Sequence, residues 1–125
     1  MLKDFSSRIV YGKVTLDTVV DGPNIAFGET LSAKLYIEGE RSDELIDDIA
    51  IELLKVTVQK EEIIAKHSIE MVSADKSKET WMISFEMVPD ERWETNSVDD
   101  TLIMRTTVHL KNGVNVQSED MITYS

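Results

Sequence analysis

The stretch Phe27-Gly28-Glu29-Thr30-Leu31-Ser32-Ala33-Lys34-Leu35-Tyr36-Ile37-Glu38-Gly39 reads as a turn, an alternating segment and a second turn. Leu31, Ala33, Leu35 and Ile37 fall on one side, and Ser32, Lys34, Tyr36 and Glu38 on the other. Successive side chains leave a pleated backbone on opposite faces, so a strict period of two predicts a half-buried β-strand. Leu31, Ala33, Leu35 and Ile37 are therefore assigned to the core.

The same rhythm recurs on both sides of this strand. Lys13 to Val20 places Val14, Leu16, Thr18 and Val20 on one face, and Asp21-Gly22-Pro23-Asn24 ends it as a loop. After an acidic connection from Glu40 to Asp48, the segment Ile46 to Val58 carries two patterns. Leu45, Ile49 and Leu53 suit a helix, whereas Ile49, Ile51 and Leu53 alternate. Its β-branched content favours a strand, and the apolar phase shift to Leu54, Val56 and Val58 predicts a β-bulge near Leu53-Leu54. Ile63 to Val72 is the next strand, with Ile63, Ala65, His67, Ile69 and Met71 in one row, followed by the polar loop Asp75-Lys76-Ser77-Lys78. Thr80 to Val88 has Trp81, Ile83, Phe85 and Met87 on one face and stops at Pro89, which cannot donate to a ladder. At the N-terminus, Leu2, Phe5 and Ile9 recur at helical spacing, which predicts a short helix over residues 2–10.

The last two strands form a hairpin around Asn112-Gly113. A two-residue loop would set Val108 against Gln117. A three-residue loop, Lys111-Asn112-Gly113, sets Leu110 against Val114 and Val108 against Val116, which keeps one face apolar. That register puts Gly113 in the left-handed position and Arg105 opposite Glu119. About seven short alternating strands predict an all-β, immunoglobulin-like sandwich, with residues 1–125 as a single domain.

The chain has 125 residues, a hydrophobic fraction of 42% and a formal net charge of -11. This much acidic charge repels phosphate backbones and anionic lipid, so nucleic acid and anionic membranes are poor partners. No apolar run approaches the roughly 18 residues of a membrane span. The N-terminus lacks the features of a secretory signal. With no cysteine there is no disulfide or thiolate chemistry. These features fit a cytoplasmic protein.

The order of the pieces resembles the N-terminal domain of the arrestin-like superfamily, most closely its bacterial sporulation-control branch. Lys13-Val14-Thr15-Leu16-Asp17-Thr18-Val19 is similar to the opening strand of that branch. Phe27-Gly28-Glu29-Thr30 through Gly39 is similar to its proline-glycine-glutamate turn and following strand, with Phe27 where the family has proline. Ile46-Asp47-Asp48-Ile49-Ala50-Ile51-Glu52-Leu53 and Trp81 through Pro89 resemble two later strands. Thr106-Thr107-Val108-His109-Leu110 with Glu119-Asp120-Met121-Ile122 resembles the closing hairpin. The resemblance implies an arrestin-like β-sandwich that works by binding proteins. Members normally carry a second sandwich domain, so it also implies either an excised domain or a stand-alone variant.

Catalytic chemistry finds little support in these residues. His67 lies on an apolar row and His109 on a polar one, and neither sits in a triad motif. The five glycines are scattered singly, without a phosphate-cradling loop. Carboxylates are plentiful, but calcium-loop spacing is missing, so no metal ligand is assigned and no cofactor is expected. Three residues are candidates for partner binding. Trp93, in the acidic loop 90–100, is either an interface anchor or a cap on the open end of the sandwich. Arg105 and Lys111 form a short cationic row with His109 that could receive an acidic group; pairing of Arg105 with Glu119 is the competing role. The expected function is a non-catalytic protein-interaction scaffold, with a role in sporulation control or a related stress response. A small-ligand or divalent-metal module built on the loop 90–100 is the alternative. The partner is a protein, and edge strands offer a route to a homodimer.

Overall fold

The computed structural model describes residues 5–22, 24–39, 45–70, 80–95 and 99–125. The described chain forms nine strands: β1 (Phe5–Tyr11), β2 (Val14–Val20), β3 (Asn24–Ile25), β4 (Leu31–Glu38), β5 (Ile46–Val56), β6 (Glu61–Glu70), β7 (Thr80–Met87), β8 (Thr101–Leu110) and β9 (Asn115–Tyr124). They make two sheets, one ordered β1-β2-β4-β7 and the other β3-β9-β8-β5-β6. The all-β sandwich is as expected. Leu31, Ala33, Leu35 and Ile37 of β4 are buried, facing Leu53, Met104, Val108 and Ile122 in one core. The polar loop 75–78, Met71, Val72, Pro23 and most of the acidic connection 40–48 lie outside the described residues.

The N-terminus departs from expectation. Where a helix over 2–10 was predicted, residues from Phe5 onward are strand β1, paired antiparallel with β2 from Phe5↔Val20 to Tyr11↔Val14. The helical spacing of Leu2, Phe5 and Ile9 loses to the ladder offered by β2. Ile9 is buried against Leu16, while Arg8 and Val10 face solvent. Arg8 Nε donates to Asp17 across the pair at 2.7 Å.

The irregularity expected near Leu53-Leu54 is present, but its extra residue belongs to β6. Leu53 pairs with Ala65 and Leu54 with Ile63, leaving Ile64 between them. β5 keeps its register with β8 through both leucines. The bulge lets Ile64 turn into the core and puts Ile63 on the outer face.

The closing hairpin has the three-residue register. Val108 faces Val116 and Arg105 faces Glu119; Leu110 N–H donates to Val114 O at 2.9 Å. Gly113 has φ 90°, which glycine adopts without strain.

Two hydroxyls are sealed between the sheets: Thr18 of β2 and Thr106 of β8, with Oγ1 atoms 3.4 Å apart. Thr18→Val leaves the Thr106 hydroxyl short of a partner and is expected to lower stability by about 1–2 kcal/mol. Thr18→Val/Thr106→Val should recover most of that loss, because an apolar pair of the same shape leaves nothing unsatisfied. Denaturant titration of both variants tests the coupling.

Candidate functional site

The outer face of the five-stranded sheet brings together residues far apart in sequence. Ile63 of β6 pairs with Leu54 of β5, Leu54 with Ile103 of β8, and Ile103 with Met121 of β9. Four apolar side chains thus cross the sheet in one row. Ile63 is 50% exposed and Met121 63%. The sequence reading missed this row, because it depends on cross-strand register and on the bulge at Ile64.

Arg105 organises the polar border of the row. Its Nε and Nη2 donate to Glu119 Oε2 at 3.0 and 2.9 Å, and Nη2 also donates to Glu61 Oε1 at 2.9 Å. Glu61 lies on β6, two strands from β8, so the guanidinium crosses β5. Its path runs over Leu54, which is 1% exposed although it points away from the core. Long cationic side chains cover apolar surface in this way while keeping their charge wet. Hydrogen bonding to Glu119 comes first among the influences that hold the Arg105 pKa above its ordinary value. Arg105 therefore takes part in the cross-strand pair foreseen, extended to a third residue.

His109 lies further along β8, with Nδ1 3.0 Å from Asp48 Oδ1. Lys111 is exposed in the hairpin turn, its backbone N–H donating to Leu45 O at 3.0 Å. Among the described residues no ion pair engages its ammonium. Arg105 and His109 are four residues apart on one strand, about 13 Å; Arg105 is held by Glu119 and Glu61, and His109 lies against Asp48. The cationic row is therefore three separate groups and not a single anion pocket.

Trp93 is a correction to the exposed-anchor reading. Its side chain is fully buried, and its ring meets Tyr124 edge to face at 5.9 Å. It ends a 3₁₀ turn, Glu91–Trp93, whose first N–H groups are capped by Asp90. Lys55 Nζ donates to Glu94 O at 2.7 Å and ties this loop to β5. Trp93 thus closes the end of the sandwich away from the hairpin, the role proposed for it as a cap.

The acidic loop 90–100 is described apart from residues 96–98. Asp90 is engaged by Arg92, whose Nη2 lies 2.7 Å from its Oδ2. That hydrogen bond, aided by the Arg92 backbone N–H, holds the Asp90 carboxyl below the usual aspartate range. Its contribution is present above the ordinary aspartate pKa and is lost as pH falls through the lower folded value. Among the described residues no group of three or more His, Asp or Glu converges to hold a metal. The metal-module alternative gains no support. His67 stacks on Phe85 with centroids 5.6 Å apart and planes 23° apart, a packing role.

No helix among the described residues is long and apolar enough to cross a membrane. Comparison with solved structures finds a crystal structure of Spo0M, a sporulation control protein from Bacillus subtilis. The TM-score is 0.65 at 14% identity, covering 92% of this chain and 50% of that one. The chain thus spans about half the length of that protein, and the likeness is one of fold. A superoxide reductase from Ignicoccus hospitalis matches at TM-score 0.45 and 5% identity, over 86% of this chain and 79% of that one. A β-glucosidase from Listeria innocua matches at TM-score 0.45 and 17% identity, over 98% of this chain and 16% of that one. Neither carries an argument at that similarity. No curated protein matches the sequence. A family model described as SpoOM protein matches residues 2–124, nearly the whole chain. The chain belongs to the SpoOM protein family, as its strand order resembled.

Proposed function

We propose that this chain is a non-catalytic protein-interaction scaffold serving sporulation control in the cytoplasm, and that it holds its partner on the outer face of the five-stranded sheet. The observation that carries this reading is the cross-strand row Ile63–Leu54–Ile103–Met121, half-exposed at both ends and bordered by Arg105. Ile63 and Met121 offer exposed apolar anchors at the two ends of the row, and charged side chains lie between and around them, a composition that suits a docking patch. Lys111, at the hairpin end of the same sheet, is placed to receive an acidic group. Family membership supports the sporulation-control setting.

Affinity capture on the immobilised chain from native lysate tests the reading. The wild-type chain should retain a discrete partner, and Met121→Lys should lose it. Arg105→Ala and Lys111→Glu should each weaken retention by roughly tenfold. Recovery of no partner under gentle conditions, or equal recovery by wild type and all three variants, would defeat it.

A further inference from the structure

The edges of the two sheets are protected unequally. In the five-stranded sheet one edge is β3, only two residues long, and the other is β6, bulged at Ile64 and lined by exposed Glu61, Glu62 and Lys66. Short length, bulges and charges are the usual defences of an edge. In the four-stranded sheet β1 packs against β9, which closes that side of the sandwich. Among the described residues β7 has no such defence. Its eight residues, Thr80-Trp81-Met82-Ile83-Ser84-Phe85-Glu86-Met87, include no proline and a single charge, and its ladder with β4 runs without a bulge. Alternate β7 residues turn their N–H and C=O groups away from β4.

Among the described residues the core is also thinly covered on this side. β6 and β7 lie at the same flank and touch little. Ile83, Ile69 and Ala65 pack against the core yet are only partly buried. Hydrogen-bonding capacity and uncovered apolar surface thus coincide along β7.

The pattern of β7 is complementary to itself. Antiparallel pairing about Ser84 sets Met82 against Glu86 of a second copy, Ile83 against Phe85, and Ser84 against Ser84. Residues on the inner face then meet inner-face residues, and no like charges are opposed. The two Glu86 carboxylates would stand about 13 Å apart along the strands, beyond the roughly 8 Å screening length at physiological salt. We propose that two copies of this chain pair edge to edge through β7, antiparallel about Ser84, into one continuous eight-stranded sheet. This goes beyond the scaffold reading and does not depend on it, since the proposed partner face lies on the other sheet.

The chain has no cysteine, so an introduced one reports contact without background. Under mild oxidation Ser84→Cys should cross-link to a dimer. Met82→Cys and Glu86→Cys should not cross-link alone but should do so when mixed. In sedimentation, the wild-type chain should dimerise at micromolar concentration, more tightly at higher salt because each copy carries -11. Ser84→Lys opposes two ammonium groups and should weaken the dimer by about tenfold or more. Thr15→Lys adds the same charge on β2, which β4 separates from β7, and should dimerise like wild type. Ser84 and Thr15 both lie outside the core, and circular dichroism checks that each variant folds. A chain that stays monomeric throughout, a Ser84→Lys dimer as tight as wild type, or cross-linking by Met82→Cys alone would overturn the proposal.

Discussion

Trp93→Ala should lower the thermal midpoint by on the order of 10–20 °C. The indole is fully buried among strand ends and packs on Tyr124, which in turn meets Phe27 edge to face at 4.8 Å. Truncating a buried tryptophan removes its transfer free energy and leaves a cavity, together about 3–5 kcal/mol. In a domain of this size each kcal/mol moves the midpoint by about 3–5 °C. Trp93→Phe keeps an aromatic ring at the site and should lose less than half as much. Calorimetry of the two variants provides the measurement. If alanine melted with wild type, the indole would not be closing the sandwich. Partner capture by the folded Trp93→Phe chain should equal wild type, which separates this packing role from that of a surface anchor.

The second large effect is expected at Gly39, where β4 ends beside the β1–β2 turn. Its φ is 137°, which L side chains rarely adopt. A Cβ there would stand 2.6 Å from Lys13 O and 2.9 Å from Val14 Cα. Both atoms are backbone, so relief requires moving the β1–β2 turn away from β4. Conformational strain and steric overlap together predict a loss of about 2–4 kcal/mol for Gly39→Ala. Gly28, with φ 87° and open space around it, isolates the strain alone, and Gly28→Ala should lose about 1–2 kcal/mol. Denaturant midpoints that reversed this order would refute the account.

The local rules carried far along the chain wherever one face of a strand is buried. Leu31 to Ile37, Val14 to Val20 and Leu102 to Leu110 alternated in sequence and are buried on one face in the fold. The Arg105–Glu119 pair followed from counting residues around Asn112-Gly113. β1 escaped because seven residues offer two periods, and helical spacing at Leu2, Phe5 and Ile9 looked as good as alternation. The pairing partner that decides between them is β2, and a periodicity within one segment contains no term for it. β3 escaped because two residues have no period.

The candidate surface was less legible. Arg105 and Lys111 could be marked as cationic on an acidic chain, but the geometry gives Arg105 two carboxylates and leaves Lys111 apart. Trp93 could be marked as conspicuous. Whether it stood in solvent or in the core depended on β5, β8 and β9 ending together around it.

What the sequence determined by itself was the kind of layer this chain builds: strands of period two, a turn at each glycine-marked break, and a hairpin whose register keeps valines together. These are short-range properties, set by residues a few positions apart. Only the tertiary structure decided which strands became edges, which apolar residues were covered and which were left in a row across four strands. Leu54 shows the difference. In sequence it breaks the alternation of its strand, and in the fold it lies on the outer face beneath Arg105, itself fifty-one positions further along the chain. Burial of that kind arises from long-range contacts, whose free energy exists only once the sheets have assembled.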